Sequence, residues 1–73
     1  MEGVATTERI DGEKLRELRR ARYMSQEALS RRAGISAKTV SRAETEGQIS
    51  MRLSTLAKIA EALGVGPHEL SGQ

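Results

Sequence analysis

The strongest apolar periodicity in the chain lies between residues 51 and 63. The apolar side chains of this segment recur every three or four residues, as on one face of a helix, and they are Leu53, Leu56, Ala57, Ile59, Ala60 and Leu63. We predict a helix from Met51 to Leu63 whose role is to supply the core. Ser50 is its expected N-cap, and Gly64 is the residue expected to end it in a left-handed conformation.

Three shorter helices are predicted before that segment. The first runs from Asp11, a suitable N-cap, to about Arg22. The second and third, Gln26–Ala33 and residues 37–45, are separated only by Gly34-Ile35-Ser36. A glycine-led break of this length leaves no room for a loop between antiparallel helices. It therefore favours a helix–turn–helix corner, with the two axes at roughly 90–120°.

Two serines stand directly in front of the second and third helices. Ser25 and Ser36 are their expected N-caps, because a serine hydroxyl accepts a hydrogen bond from a first-turn N–H group. The two caps fix where each helix of the corner begins.

The remaining segments complete the predicted domain. Residues 46–50 are expected to form a loop, and Pro67 opens a final helical turn that ends at Leu70. No segment alternates β-branched and polar residues, and no Asn-Gly or Asp-Gly turn occurs. We therefore predict an all-α domain over residues 11–73, preceded by a flexible arm of residues 1–10.

The composition excludes several classes of function. The absence of cysteine excludes disulfides and thiolate metal sites, and the single histidine cannot supply a protein zinc site. That histidine, His68, lies beside Pro67 without an evident nucleophile, so we expect a surface residue and neither an enzyme nor a cofactor. No apolar run approaches the ~20 residues of a membrane span, and we predict a cytoplasmic protein with no membrane partner.

The charge is strongly segregated along the chain. The segment from Lys14 to Arg42 holds nine basic and two acidic residues, a net charge of +7. The rest of the chain holds three basic and eight acidic residues, a net charge of −5, and the whole chain carries +2. A basic surface of this kind attracts polyanions and releases counterions on binding. The basic segment coincides with the predicted corner, which favours double-stranded DNA as the partner.

The third helix presents two opposite faces. At about 100° per residue, Val40 and Ala43 lie on the face turned towards the other helices. The residues on the opposite, displayed face are Ala37, Lys38, Ser41 and Arg42. Arginine and lysine can donate to guanine O6 and N7, serine can bond several base edges, and an alanine methyl can contact a thymine methyl. We predict that these four side chains read bases in the major groove.

The segments LRELRRAR, SQEALSRRAGIS, TVSRAE and LSTLAKIAEALGV together resemble the lambda-repressor-like helix-turn-helix family. The resemblance covers roughly residues 15–70. It implies a compact five-helix DNA-binding domain, with the helix-turn-helix at helices 2 and 3 and the third helix in the major groove. It also implies an ion pair between Arg19 and Glu44. The DNA backbone contacts that it implies are Gln26, Ser36, Thr39, Gln48 and Arg52.

Three positions depart from the family pattern. Tyr23 replaces a glycine after the first helix, so either it adopts a left-handed conformation or the turn is remodelled. Ser30 replaces an alanine, and its buried hydroxyl should bond a helix carbonyl. The loop Thr45-Glu46-Gly47 is one residue longer than usual, which affects the backbone contact expected of Gln48.

The function expected from these features is sequence-specific transcription regulation. One short recognition helix contacts few bases, so we expect a homodimer on a palindromic operator, with the two helices about 34 Å apart. The alternative is an antitoxin-like or other protein-interaction module on the same scaffold, whose partner would be a toxin or the transcription machinery. The outward Lys38 and Arg42 favour DNA.

Overall fold

The computed structural model of the protein describes residues 7–72, which form four α-helices, two strands and a short C-terminal turn. The elements in chain order are β1 (Thr7–Asp11), α1 (Gly12–Ala21), α2 (Gln26–Ala33), α3 (Ala37–Glu46), β2 (Gln48–Arg52), α4 (Leu53–Leu63) and a 3₁₀ turn (Pro67–Leu70). The helices pack around one core of aliphatic residues, among them Leu15, Leu29, Val40, Leu56 and Ile59, all of which are fully buried.

The predicted N-caps of the first three helices are confirmed. The Asp11 carboxylate accepts hydrogen bonds from the N–H groups of Glu13 and Lys14, at 3.1 and 3.2 Å. The hydroxyls of Ser25 and Ser36 accept from first-turn N–H groups of α2 and α3, at 3.0 and 3.1 Å. Each cap satisfies a donor that the helix itself leaves without a partner.

The connection between α1 and α2 turns at Tyr23, a non-glycine residue with a positive φ of 55°. Of the two conformations expected for this residue, the left-handed one is therefore present. Its N–H donates to the carbonyl of Arg20, and its side chain is 97% exposed. A left-handed non-glycine residue costs on the order of 1 kcal/mol, which the packing of both flanking helices offsets.

The prediction of a purely helical, five-helix domain is wrong. Strand β1 pairs antiparallel with β2, with Thr7 opposite Arg52 and Asp11 opposite Gln48. The described residues contain four α-helices, and the predicted fifth helix is a 3₁₀ turn. The strands escaped prediction because they are short and mostly polar, and their pairing joins segments about 40 residues apart in the chain.

The sheet also corrects the predicted arm and the predicted loop. Residues 7–10, assigned to the arm, belong to β1, and residues 48–50 of the expected loop belong to β2. The C-terminus returns to the same sheet, where the N–H of Gly72 donates to the carbonyl of Arg9 at 2.7 Å. The flexibility expected of residues 1–6 lies outside the described part of the chain.

Helix α4 begins two residues later than predicted. Ser50 lies in β2 and is not its cap; the N-cap position is Arg52, without a side-chain cap bond. Leu53 and Ala57, expected in the core, are exposed, whereas the other predicted apolar residues of the helix are buried. Gly64 ends the helix at a φ of 74°, as predicted.

The first turn of α1 lies directly against the end of α3. The N–H of Gly12 donates to the carbonyl of Gly47. A Cβ at Gly12 would overlap the carbonyl oxygens of Ala43 and Gly47, so only glycine permits this approach. Helix α3 ends at Glu46, whereas the sequence predicts that it ends at Thr45. The junction with α1 therefore contains one more helical residue than expected.

Candidate nucleic-acid interface

The corner between α2 and α3 is built as the sequence predicts. Gly34 takes a φ of 74°, and the N–H of Ile35 donates to the carbonyl of Ser30 at 3.0 Å, which closes the end of α2. The buried Ser30 hydroxyl donates to the carbonyl of Glu27 at 2.7 Å, the back-bond expected of it. The corner therefore fixes the direction in which α3 leaves α2.

Helix α3 buries one side and displays the other. Val40 and Ala43 are fully buried against the other helices. Of the four residues predicted to read bases, Lys38 and Arg42 are exposed, while Ala37 and Ser41 are half-buried. At about 100° per residue, Lys38 and Arg42 lie opposite Val40, and Ser41 and Ala37 continue that surface towards the buried side. We call the surface of Ala37, Lys38, Ser41 and Arg42 the reading face.

Arg42 is paired at the edge of the reading face. Its Nε lies 3.1 Å from Oε2 of Glu46, and its Nη2 lies 3.5 Å from Oε1. The hydrogen bond that Arg42 donates to Glu46, together with the charge of that carboxylate, raises the pKa of the Arg42 guanidinium above its usual range. The sequence did not predict this pair because Glu46 was assigned to the loop. In the structure, Glu46 is the last helical residue, one turn beyond Arg42.

A second carboxylate of α3, Glu44, is buried behind the reading face. Arg19 of α1 donates to it through Nε at 2.6 Å and Nη2 at 2.9 Å, which forms the expected ion pair. The same arginine donates through Nη1 to the carbonyl of Met24 at 2.7 Å. Gln26 of α2 adds a third hydrogen bond to Glu44, from Nε2 to Oε1 at 3.0 Å. The Glu44 carboxylate thus ties α1 and α2 to α3.

The environment of Glu44 lowers its pKa. Burial alone would raise it, but the hydrogen bonds from Arg19 and Gln26 and the charges of Arg19 and Arg16 outweigh that effect. In turn, the hydrogen bond that Arg19 donates to Glu44 raises the pKa of Arg19. The pair is therefore ionised at neutral pH.

The residues implied as DNA backbone contacts lie at several places around α3. Ser36 and Thr39 share a hydrogen bond between their hydroxyls, 2.9 Å long, at the start of α3. Gln26 opens α2 and is bonded to Glu44. Arg52 is exposed at the end of β2, and Gln48 begins that strand opposite Asp11. The structure does not bring these five into one cluster.

Arg16 of α1 is a candidate contact that the sequence did not single out. Its Nε lies 3.6 Å from Oε1 of Glu44, the oxygen that also accepts from Gln26, and its side chain is 44% exposed. A polar recess adjoins the end of α3, and its lining residues are Asp11, Glu13, Arg16, Glu44, Thr45 and Gly47. Thr45 follows Ser41 by one turn, so the recess continues the reading face. Only the general excess of basic residues on α1 could have indicated Arg16.

We searched residues 7–72 for a metal site and for a membrane-spanning helix as well. That part of the chain holds no group of three or more potential metal ligands. None of its helices is long and apolar enough to cross a membrane.

Known proteins share this arrangement. A family profile described as "Helix-turn-helix domain" matches residues 12–71. One similar protein of known crystal structure is the restriction-modification controller protein C.AhdI from Aeromonas hydrophila. Its sequence is 40% identical to this chain, and the two structures superpose with a TM-score of 0.73 over 80% of this chain and 86% of that one. The hypothetical transcription factor NHTF from Neisseria is 33% identical, with a TM-score of 0.72 over 85% and 71% of the two chains. No curated protein sequence matches the chain.

SinR, the master regulator for biofilm formation, has the same fold in its crystal structure in complex with DNA. It is 24% identical, with a TM-score of 0.74 over 78% of this chain and 90% of that one. The fold, together with the lysine and arginine displayed on α3, defines a DNA-binding helix-turn-helix transcription regulator. The chain belongs to the helix-turn-helix family of the lambda-repressor and Cro type.

Proposed function

We propose that the protein is a sequence-specific transcription regulator that binds a palindromic operator as a homodimer, with α3 in the major groove. The observation that carries the proposal is the reading face. Lys38 and Arg42 extend into solvent from a helix whose opposite side is fixed in the core by Val40, Ala43 and Glu44. A rigid helix with displayed donors is what base recognition in a groove requires.

Each residue of the reading face has a proposed role. Arg42 and Lys38 donate to guanine, Ser41 bonds a base edge, and Ala37 contacts a thymine methyl. The pairing of Arg42 with Glu46 does not prevent this, because exposed pairs one helical turn apart contribute little. A two-pronged arginine–guanine contact discriminates strongly between bases and outweighs the pair.

The DNA backbone is bound by residues around the two ends of α3. The proposed contacts are Gln26, Ser36, Thr39, Gln48 and Arg52, and the structure adds Arg16 to them. Arg16 and Gln26 approach the same oxygen of Glu44, at 3.6 and 3.0 Å. Gln26 has a second amide hydrogen, and Arg16 is nearly half exposed, so both can donate to a phosphate while the Glu44 carboxylate holds them in place.

The likeness to C.AhdI supports a narrower assignment. That protein is a restriction-modification controller, and its identity of 40% extends over most of both chains. We propose the same kind of control for this chain. The assignment would be supported by restriction and modification genes beside the gene of this protein. The promoter region of those genes would then be the first DNA to test for an operator.

A selection from random duplex DNA tests the proposed function. We expect enrichment of a palindrome whose half-sites are about 10 base pairs apart, the separation of two recognition helices in a dimer. Arg42→Ala should weaken binding of the selected duplex roughly tenfold and relax the preference at one base pair. Its matched control, Arg52→Ala, should weaken the selected duplex and other duplexes by similar factors.

The same selection distinguishes the proposed DNA-binding regulator from a protein-interaction module. The fold also occurs in a complex of the SinR protein with the SinI protein, which is 24% identical over 81% of this chain and 57% of that one. An antitoxin-like module that binds a toxin would not need Arg42 to choose a base. If the selection enriched no sequence at moderate salt, or Arg42→Ala left the selected sequence unchanged, the reading face would not choose bases.

A further inference from the structure

Glu46 is an acidic residue on a surface proposed to approach DNA. With Ala37 as the origin and about 100° per residue, Arg42 lies near 140° around α3 and Glu46 near 180°. Glu46 is therefore at the rim of the reading face, where a phosphate backbone would pass, and its side chain is 47% exposed. An unpaired carboxylate at this place would repel the phosphates of DNA. The pairing of Glu46 with Arg42 therefore bears directly on how this surface binds DNA.

The contact uses the edge of the guanidinium formed by Nε and Nη2. Nε of Arg42 lies 3.1 Å from the Glu46 carboxylate, whereas Nη2 lies 3.5 Å from its other oxygen. The hydrogen bond from Nε is therefore the shorter one, and Nη1 makes no hydrogen bond to any group that the structure describes. An arginine held by its Nε and Nη2 edge still has the outer N–H groups of Nη1 and Nη2 to donate to guanine O6 and N7.

We propose that Glu46 is the positioning residue of Arg42 and raises the specificity of the reading face. It holds the guanidinium by its Nε and Nη2 edge, directs the outer N–H groups of Nη1 and Nη2 towards the groove, and disfavours contact between Arg42 and a phosphate. The inference rests on the proposed function, which it deepens by naming how the base-reading arginine is oriented.

Charge explains why this arrangement raises specificity. While Arg42 is paired with Glu46, the two side chains together carry no net charge, so a phosphate gains little from either. A guanine offers two acceptors in fixed positions and benefits from a guanidinium that is already oriented. Without Glu46, Arg42 would move freely and bind any nearby phosphate, which favours DNA of every sequence.

Glu46→Gln tests the inference, with two DNA probes. One is the duplex enriched by selection with the unaltered protein, and the other has the same composition in scrambled order. We expect Glu46→Gln to bind the scrambled duplex roughly two- to fivefold more tightly, because Arg42 is then free to reach a phosphate. The selected duplex should bind no more tightly than before. The salt dependence of scrambled-duplex binding should steepen by about 0.9, the value for one additional phosphate.

Two matched variants separate positioning from simple loss of charge. Glu27→Gln removes one exposed negative charge of α2 that has no ion pair within residues 7–72, and it should change both affinities by the same factor. In an Arg42→Ala background, Glu46→Gln should likewise change both affinities equally, because the residue it positions is gone.

The outcomes are distinct. A fall in the ratio of the two affinities that requires Arg42 supports the inference. Equal tightening of both duplexes by Glu46→Gln, or a fall that persists in the Arg42→Ala background, overturns it while the proposed function stands. If the unaltered protein selected no sequence at all, the proposed function and this inference would fall together.

Discussion

Helix α3 carries two glutamates two residues apart, each paired with an arginine, and the two pairs differ in almost every other respect. Glu44 is fully buried and binds an arginine 25 residues away in the chain. Glu46 is half exposed and binds an arginine one helical turn away. The first pair joins separate helices, and the second lies within one helix.

Burial is the cause of this difference. The Glu44 carboxylate has lost its water and is compensated by three hydrogen bonds from Arg19 and Gln26. Removing one partner would leave a charge in the interior without compensation, which is costly. The Glu46 carboxylate retains water, so breaking its pair merely exchanges one set of hydrogen bonds for another. The same chemical contact therefore stabilises the fold at one position and leaves the arginine available for binding at the other.

The largest expected effect is on stability. Glu44→Ala should lower the free energy of unfolding by about 3 kcal/mol, because it leaves the Arg19 guanidinium buried without its anion. Denaturant unfolding followed by circular dichroism measures the loss. Glu46→Ala is the matched control and should shift the melting temperature by no more than about 2 °C. Equal losses for the two variants would contradict the distinction between them.

Acid should affect the two pairs differently. The pKa of Glu44 in the folded protein lies below its ordinary value of 4.5, because the hydrogen bonds and charges of Arg19 outweigh its burial. Its contribution to stability is therefore complete above about pH 4.5 and is lost as the pH falls through the lower, folded pKa.

Unfolding midpoints measured from neutral to acidic pH test this expectation. The unaltered protein should lose stability below about pH 4.5, and Glu44→Gln should lose less over the same range. The stability of the Glu46→Gln variant should fall with decreasing pH as much as that of the unaltered protein does. A decline of the same steepness in Glu44→Gln would mean that other carboxylates cause it.

The smallest expected effect concerns Arg16, which is intermediate between the two pairs. It lies beside the buried Glu44 but is 44% exposed, at a distance of 3.6 Å that is too long for a hydrogen bond. If it binds a phosphate, Arg16→Ala should reduce the slope of log affinity against log salt by about 0.9 for any duplex. Lys14→Ala, on the opposite side of α1, should leave the slope unchanged. A slope unaltered by Arg16→Ala would make Arg16 a structural residue only.

Local features of the fold were accessible from the sequence. The caps at Asp11, Ser25 and Ser36 and the left-handed residues Gly34 and Gly64 involve groups only a few residues apart in the chain. The caps follow from the hydrogen-bonding side chains of aspartate and serine, and the left-handed residues follow from the missing side chain of glycine. Neither requires a tertiary contact. The two faces of α3 follow from its helical period in the same way. The helix-turn-helix corner was predictable because it is made of such local features.

The end of α3 was not accessible in this way. Whether Glu46 is helical depends on Gly12, whose N–H binds the carbonyl of Gly47 and whose missing side chain admits the end of α3. Strand β2 then begins immediately at Gln48, because β1 supplies its hydrogen-bonding partner. None of these contacts leaves a pattern in the local sequence. The predicted loop is therefore wrong, and the local sequence does not reveal the pair between Arg42 and Glu46.

Four helical segments, the caps of the first three, the corner and the basic character of the reading face follow from the amino-acid sequence alone. Each of these depends on spacings of a few residues, for which backbone geometry leaves few choices. The extension of α3 to Glu46, the two-stranded sheet and the approach of Arg16 and Gln26 to the same oxygen of Glu44 depend instead on packing. Those features join segments far apart in the chain, and only packing of the whole domain brings their partners within hydrogen-bonding distance.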